Sequence, residues 1–287
     1  MEFIEAVFQY SFLQKALITS IIVGIICGVM GCFIILRGMA LMGDAISHAV
    51  LPGVAFSYML GINFFFGAVI SGVITAIAIG FVSQNSRIKH DTSIGIMFTA
   101  AFAAGIIIIT MLKSSTDLYH ILFGNVLAVR TSEMWMTLFI GVFVILAVYL
   151  FYKELLVSSF DPTMAAAYGL PTKLIHYFLM TLLTMVTVAS LQTVGIVLVV
   201  AMLITPAATA YLLTERLWIM ILIAAGIGIV SATIGLYFSY THNLASGATI
   251  VITATVIFGL VFLFSPKHGI VWKAFKTKRK RASLALK

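Results

Sequence analysis

The sequence predicts an all-α fold, a polytopic transmembrane bundle of about eight or nine spans. Three observations carry that expectation. Hydrophobic residues make up 62% of the 287 positions and charged ones 9%, against about 25% charge in ordinary soluble domains; mean hydropathy is +1.17. Apolar runs recur along the chain at roughly 20 residues, the length that crosses about 30 Å of hydrocarbon. Lys and Arg then gather on one side of those runs, as the positive-inside rule requires.

The opening Met1-Glu2-Phe3-Ile4-Glu5 has neither a basic n-region nor a small-residue cleavage site. It is therefore read as mature sequence, an N-terminal segment over 1–12. Spans are expected at 13–36, 44–61, 64–83, 93–112, 131–152, 174–191, 193–213, 217–239 and 246–265, within a membrane domain over 13–266. The second is short and holds polar residues, so a re-entrant path and a full crossing both stay open. With the N-terminus outside, Arg37, Arg87, Lys89, Lys153, Lys173, Arg216 and the eight Lys/Arg from Lys267 onward lie inside; Lys15, Lys113 and Arg130 lie outside. An eight-span variant, or an added interfacial helix from Glu2 to Tyr10, keeps the C-terminus cytoplasmic. The net charge of +8 is thus one basic tail over 267–287, since the rest balances nine basic against nine acidic residues. A basic tail after a final span is a cytoplasmic anchor, which removes nucleic acid as a partner.

Two connections exceed a turn. The outer one, Ser114 to Arg130, contains Asp117 and His120 and is too short to cross and return. The inner one, Lys153 to Lys173, carries Asp161-Pro162, a helix start, and Gly169 before Pro171, a stop. A short helix of about two turns is expected there, flat on the inner side within 158–170. It reads either as an interfacial connector or as a docking element; the Ala165-Ala166-Ala167 strip, permitting close approach, favours docking. Gly24 with Gly28, Gly67 with Ser71, and Gly226 with Gly228 suggest tight helix contacts, and Pro206 a kink or an unwound stretch. Cys27 and Cys32 lie about 140° apart on a helix and read as buried inert thiols.

Asp44 and His48, four residues apart in Gly43-Asp44-Ala45-Ile46-Ser47-His48, share one helix face inside an apolar run. A carboxylate at membrane depth costs roughly 2.5–3.5 kcal/mol, so the pair needs a purpose. It can be a structural clamp, closed within itself or onto Arg37; a proton relay; or part of a cation site suited to Mn²⁺, Fe²⁺ or Zn²⁺. Two ligands are too few for such a cation, and a second copy across a dyad would supply the rest. Pro52-Gly53, just beyond the pair, can bend the helix. His90, His120, His176, His242 and His268 read as solvated or interfacial, and no His-rich loop occurs. The chain contains no P-loop sequence, not even a Gly-Lys dipeptide, and no HExxH. It is accordingly expected to be no enzyme, and ATP-driven transport would need a separate ATPase docking on 158–170.

The run Arg37-Gly38-Met39-Ala40-Leu41-Met42-Gly43-Asp44-Ala45-Ile46-Ser47-His48-Ala49-Val50-Leu51-Pro52-Gly53 resembles the permease subunit of the manganese/zinc/iron ABC importer family. Phe123-Gly124-Asn125, the Asp161 to Gly169 segment and Val200 to Ala210 add to that resemblance. It implies a type II-like ABC importer permease in a bacterial plasma membrane, working by alternating access. Its partners would be a second permease copy, ATPase subunits that bind the ATP, and an extracellular metal-binding lipoprotein. It further implies that Asp44 and His48 form the metal site and that 158–170, with Asp161, Pro162, Ala165, Ala166 and Gly169, is the coupling helix. No cofactor would be permanently bound. The transported ion is expected to be manganese, with zinc or iron as alternatives, because a His-rich loop is missing. A proton-coupled secondary carrier and a non-transporting scaffold remain the rivals.

Overall fold

A lipid core offers backbone groups no partner, so apolar runs of span length close their hydrogen bonds within helices. The computed structural model describes residues 2–111 and 126–265. The basic tail, Lys113, Asp117, His120, His268 and Phe123-Gly124-Asn125 fall outside the described residues. In chain order the helices are α1 (Glu2–Gln9), α2 (Ser11–Leu36), α3 (Met42–Ala49), α4 (Leu51–Leu60), α5 (Phe64–Asn85) and α6 (His90–Met111). After a 3₁₀ turn (Val126–Ala128) come α7 (Thr131–Leu150), α8 (Tyr152–Phe160), α9 (Pro162–Ala167), α10 (Thr172–Val194), α11 (Ile196–Leu213), α12 (Leu217–His242) and α13 (Ser246–Phe264). Among the described residues, eight helices are long and apolar enough to cross a membrane: α2, α5, α6, α7 and α10 to α13.

One of the nine expected spans, the segment 44–61, is not a single helix of span length. It is two short helices, α3 and α4, meeting at Val50. Pro52 explains the break: it has no N–H to donate and its ring crowds the carbonyl four residues back. Pro206, by contrast, sits inside a continuous α11 and unwinds nothing. The helix expected within 158–170 is also shorter than drawn, because 158–160 belong to α8 and α9 covers only Pro162–Ala167. The added N-terminal helix is present as α1, where Phe3 packs edge-on against Tyr237 of α12 at 5.4 Å.

The core forms around α2, which packs against α12, α11 and α7. Small residues bring the backbones together. A Cβ on Gly24 would stand 2.8 Å from the Gly228 carbonyl carbon, and one on Gly28 would stand 3.0 Å from that of Ala224. Gly226 faces open space instead, so of the expected Gly226/Gly228 pair only Gly228 makes the contact. Gly67 packs on Gly53 and Ser57, while Ser71 Oγ donates to the Ala49 carbonyl at 2.7 Å and ties α5 to the end of α3. Cys27 and Cys32 are free and buried, the second donating to the Gly28 carbonyl at 3.2 Å.

Gly31 is among the tightest of these sites, since a Cβ there would overlap the Leu203 carbonyl oxygen of α11. Gly31→Val is expected to lower stability by about 1–3 kcal/mol through overpacking. The drop in thermal midpoint of the detergent-purified protein measures it, with Gly226→Val, on an open face, as the neutral control.

Candidate functional site

The turn that leads into α3 has no slack. Arg37 and Gly38 N–H groups bond back to Phe33 and Ile35 carbonyls at 3.1 Å each, Met39 N–H to Ile34 at 3.0 Å, and Gly38 takes φ +65°. Met39 is 3% exposed beneath the turn. Asp44 and His48 then stand one helical turn apart, His48 Nε2 3.5 Å from Asp44 Oδ1. That is ion-pair range, longer than a well-made hydrogen bond. Both side chains remain reachable, Asp44 at 45% and His48 at 30% exposure.

Aromatic packing sets the imidazole. Phe102 of α6 meets the His48 ring edge-on at 5.3 Å, and Phe98 lies at 6.1 Å. His48 Nδ1 is buried with no hydrogen-bond partner among the described residues. The pair opens on a cavity of about 480 Å³. One stripe of α11 forms its wall, including Val197, Val200, Ala201, Ile204 and Thr205. An oxygen and a nitrogen donor so placed can share one cation within a wall that is apolar apart from Thr205. Among the described residues no third His, Cys, Asp or Glu joins them, so one chain offers two of the four to six donors such an ion takes.

The clamp onto Arg37 does not form, because Arg37 turns elsewhere. Its Nε donates to Ser159 Oγ at 3.1 Å and its Nη2 to Ser158 Oγ at 3.0 Å. Its Nη1 lies 3.3 Å from His176 Nδ1. Burial pushes the guanidinium down to about 10, so it stays protonated at neutral pH. These groups line a second cavity of about 630 Å³, with His90, Lys173 and Pro162 also in its wall. His90 and His176, read separately from sequence, meet with ring centroids 6.4 Å apart, and His242 stacks on Phe238. The Arg37 cluster and the Phe98/Phe102 wall escaped sequence reasoning. A lone Arg closing a span and a Ser158-Ser159 doublet were visible, but nothing local joins positions more than a hundred apart.

The residues expected to form a docking helix have clear local roles. Asp161 Oδ1 accepts from the Thr163 and Met164 N–H groups at 2.9 Å each, Pro162 occupies the first turn, and Gly169 ends the segment at φ +79°. Ala165 is fully buried, while Ala166 is exposed, as are Phe160, Met164 and Tyr168. Asp161→Ala removes the cap, worth about 1 kcal/mol, and is expected to speed amide exchange at Thr163 and Met164 roughly fivefold. Asp161→Asn should keep most of the protection in the same exchange measurement.

The sequence profile of the ABC 3 transport family matches residues 9–265. The chain belongs to that family. It is a multi-pass membrane member, by its eight apolar helices. It is 69% identical over 272 residues to the manganese transport system membrane protein MntC of Listeria monocytogenes, covering 95% of this chain and 97% of the relative. It is 54% identical over 267 residues to the manganese import system permease protein ScaB of Streptococcus parasanguinis, covering 93% and 95%. Among solved structures it is similar to a chain of PsaBC from Streptococcus pneumoniae in complex with Fab, with a TM-score of 0.86 and 50% identity over 96% of this chain and 99% of that one. The likeness to that solved chain extends over nearly the whole of both chains.

Proposed function

We propose that this chain is the membrane permease of an ATP-driven manganese importer, and that two copies form its translocation pathway. The observation that carries the reading is the Asp44/His48 pair, facing a cavity yet two-ligand in one chain. A second copy across a dyad would complete it. The relatives named for manganese support the choice of ion. A carboxylate with an imidazole suits Mn²⁺, Fe²⁺ and Zn²⁺ alike, and both cysteines are buried on α2, outside the site. Zinc and iron remain the alternative cargoes.

In this reading a separate cytoplasmic ATPase supplies the energy, docking on α9. The exposed side chains around it support that role. A metal-binding lipoprotein delivers Mn²⁺ from outside, Asp44 and His48 of both copies take the ion, and the cluster separates to release it inward. The Lys/Arg distribution supports a bacterial plasma-membrane orientation with the 267–287 tail in the cytoplasm.

Proteoliposomes holding the chain, its ATPase and its receptor test this directly. Uptake is expected to require ATP, to survive collapse of the proton gradient, and to favour Mn²⁺ over Zn²⁺ and Fe²⁺. Uptake that needs no ATP and follows the proton gradient would mark a secondary carrier and sink the proposal.

A further inference from the structure

Between the proposed ATPase docking helix and the metal pair lies one side chain that touches both approaches. Arg37 closes α2, and α3 begins five residues later after the hydrogen-bonded turn over Met39. Its guanidinium reaches Ser158 and Ser159 in the last turn of α8. Asp161, which caps α9, follows two residues after Ser159. The third branch meets His176 in the first turns of α10, the helix that leaves the same segment. One planar group therefore joins both flanks of α9 to the turn that launches α3.

The kind of bond matters as much as its place. All three partners are hydroxyls or an imidazole, and among the described residues no carboxylate lines the cavity around Arg37. A bidentate carboxylate would lock the guanidinium in one geometry. Bonds to neutral groups can break and re-form as helices slide, while the 630 Å³ cavity leaves room for that movement. The two ends differ in stiffness as well. Ser158 and Ser159 are 3% and 6% exposed, held in α8, and the 37–41 turn is fixed by its own backbone bonds. The joint thus offers a displacement of the α8–α9 corner a route to α3 with no long loop between.

We infer that Arg37 is a positioning residue that transmits movement of the 158–168 segment to the helix bearing Asp44 and His48. The inference rests on the importer reading above. Arg37 touches neither metal ligand, so its loss should leave metal binding intact and separate ATP hydrolysis from transport.

The test uses the full complex in proteoliposomes and reads Mn²⁺ moved per ATP hydrolysed, alongside equilibrium Mn²⁺ binding to the purified complex. Arg37→Gln is expected to keep Mn²⁺ binding and ATP hydrolysis while the Mn²⁺-to-ATP ratio falls about tenfold, within the usual range of coupling energies. Arg37→Lys should behave the same way, because a point charge cannot span three acceptors. The double variant Ser158→Ala/Ser159→Ala should lose several-fold, and adding it to Arg37→Gln should cost nothing more, since all act through one joint. A wild-type ratio in Arg37→Gln or Arg37→Lys overturns the inference, as does additive loss in the combined variant. If Arg37→Gln fails to assemble, the Ser158/Ser159 variant decides alone. Failure of the metal-site reading is distinguishable: Asp44→Asn would then transport normally, whatever the ratio in the Arg37 variants.

Discussion

Asp44→Asn is expected to reduce Mn²⁺ uptake by about 100-fold or more while the complex still assembles, because loss of a ligand exceeds the 10–100-fold typical of residues behind the ligands. Asn keeps the shape of the side chain and loses its anionic donor. Asp44 is 45% exposed and its one ion-pair contact is 3.5 Å long, so folding should change little. His48→Gln removes the imidazole and should match it. Packing against Phe98 and Phe102 makes that variant somewhat less stable. Radioactive Mn²⁺ accumulation, with gel filtration of the complex as the control for assembly, measures both. Normal accumulation by an assembled Asp44→Asn complex would end the site assignment.

Co-expressing wild-type and Asp44→Asn chains in equal amounts should leave about one quarter of wild-type uptake, if two copies must each contribute an intact pair. Complexes with two good copies then form in proportion to the square of the wild-type fraction. Independent sites in each chain would leave about one half, since the loss would simply follow the dose. Tagged chains purified by a two-step capture allow the mixed complex to be assayed by itself. A mixed complex with half activity would show that one pair suffices, contrary to the two-ligand geometry within a chain.

Several features were legible in the sequence for local reasons. Asp44 and His48 stood out because helical spacing puts both on one face of an apolar run. The Asp161-Pro162 start and the Gly169 stop were readable because capping and positive φ depend on a few neighbouring atoms. Gly24 and Gly28 read as a contact face and are one. Gly226 read the same way and faces open space, since composition cannot say which side of a helix meets another. The 44–61 segment read as a short span that Pro52-Gly53 could bend, and the structure divides it into two helices at Val50, because proline withholds a backbone donor.

The sequence by itself determined the membrane, the helices and the spacing of Asp44 and His48 on one helix face. Transfer of apolar surface, backbone satisfaction in lipid and side-chain spacing on a helix are all local quantities, summed along the chain. Tertiary structure alone decided what surrounds that pair. The α11 stripe across the cavity, the phenylalanines holding His48, and the reach of Arg37 to Ser158, Ser159 and His176 depend on which helix faces which. Close packing sets some of those neighbours: Gly31 of α2 meets Leu203 of α11, and Gly105 of α6 meets Leu51 and Pro52 just beyond the pair.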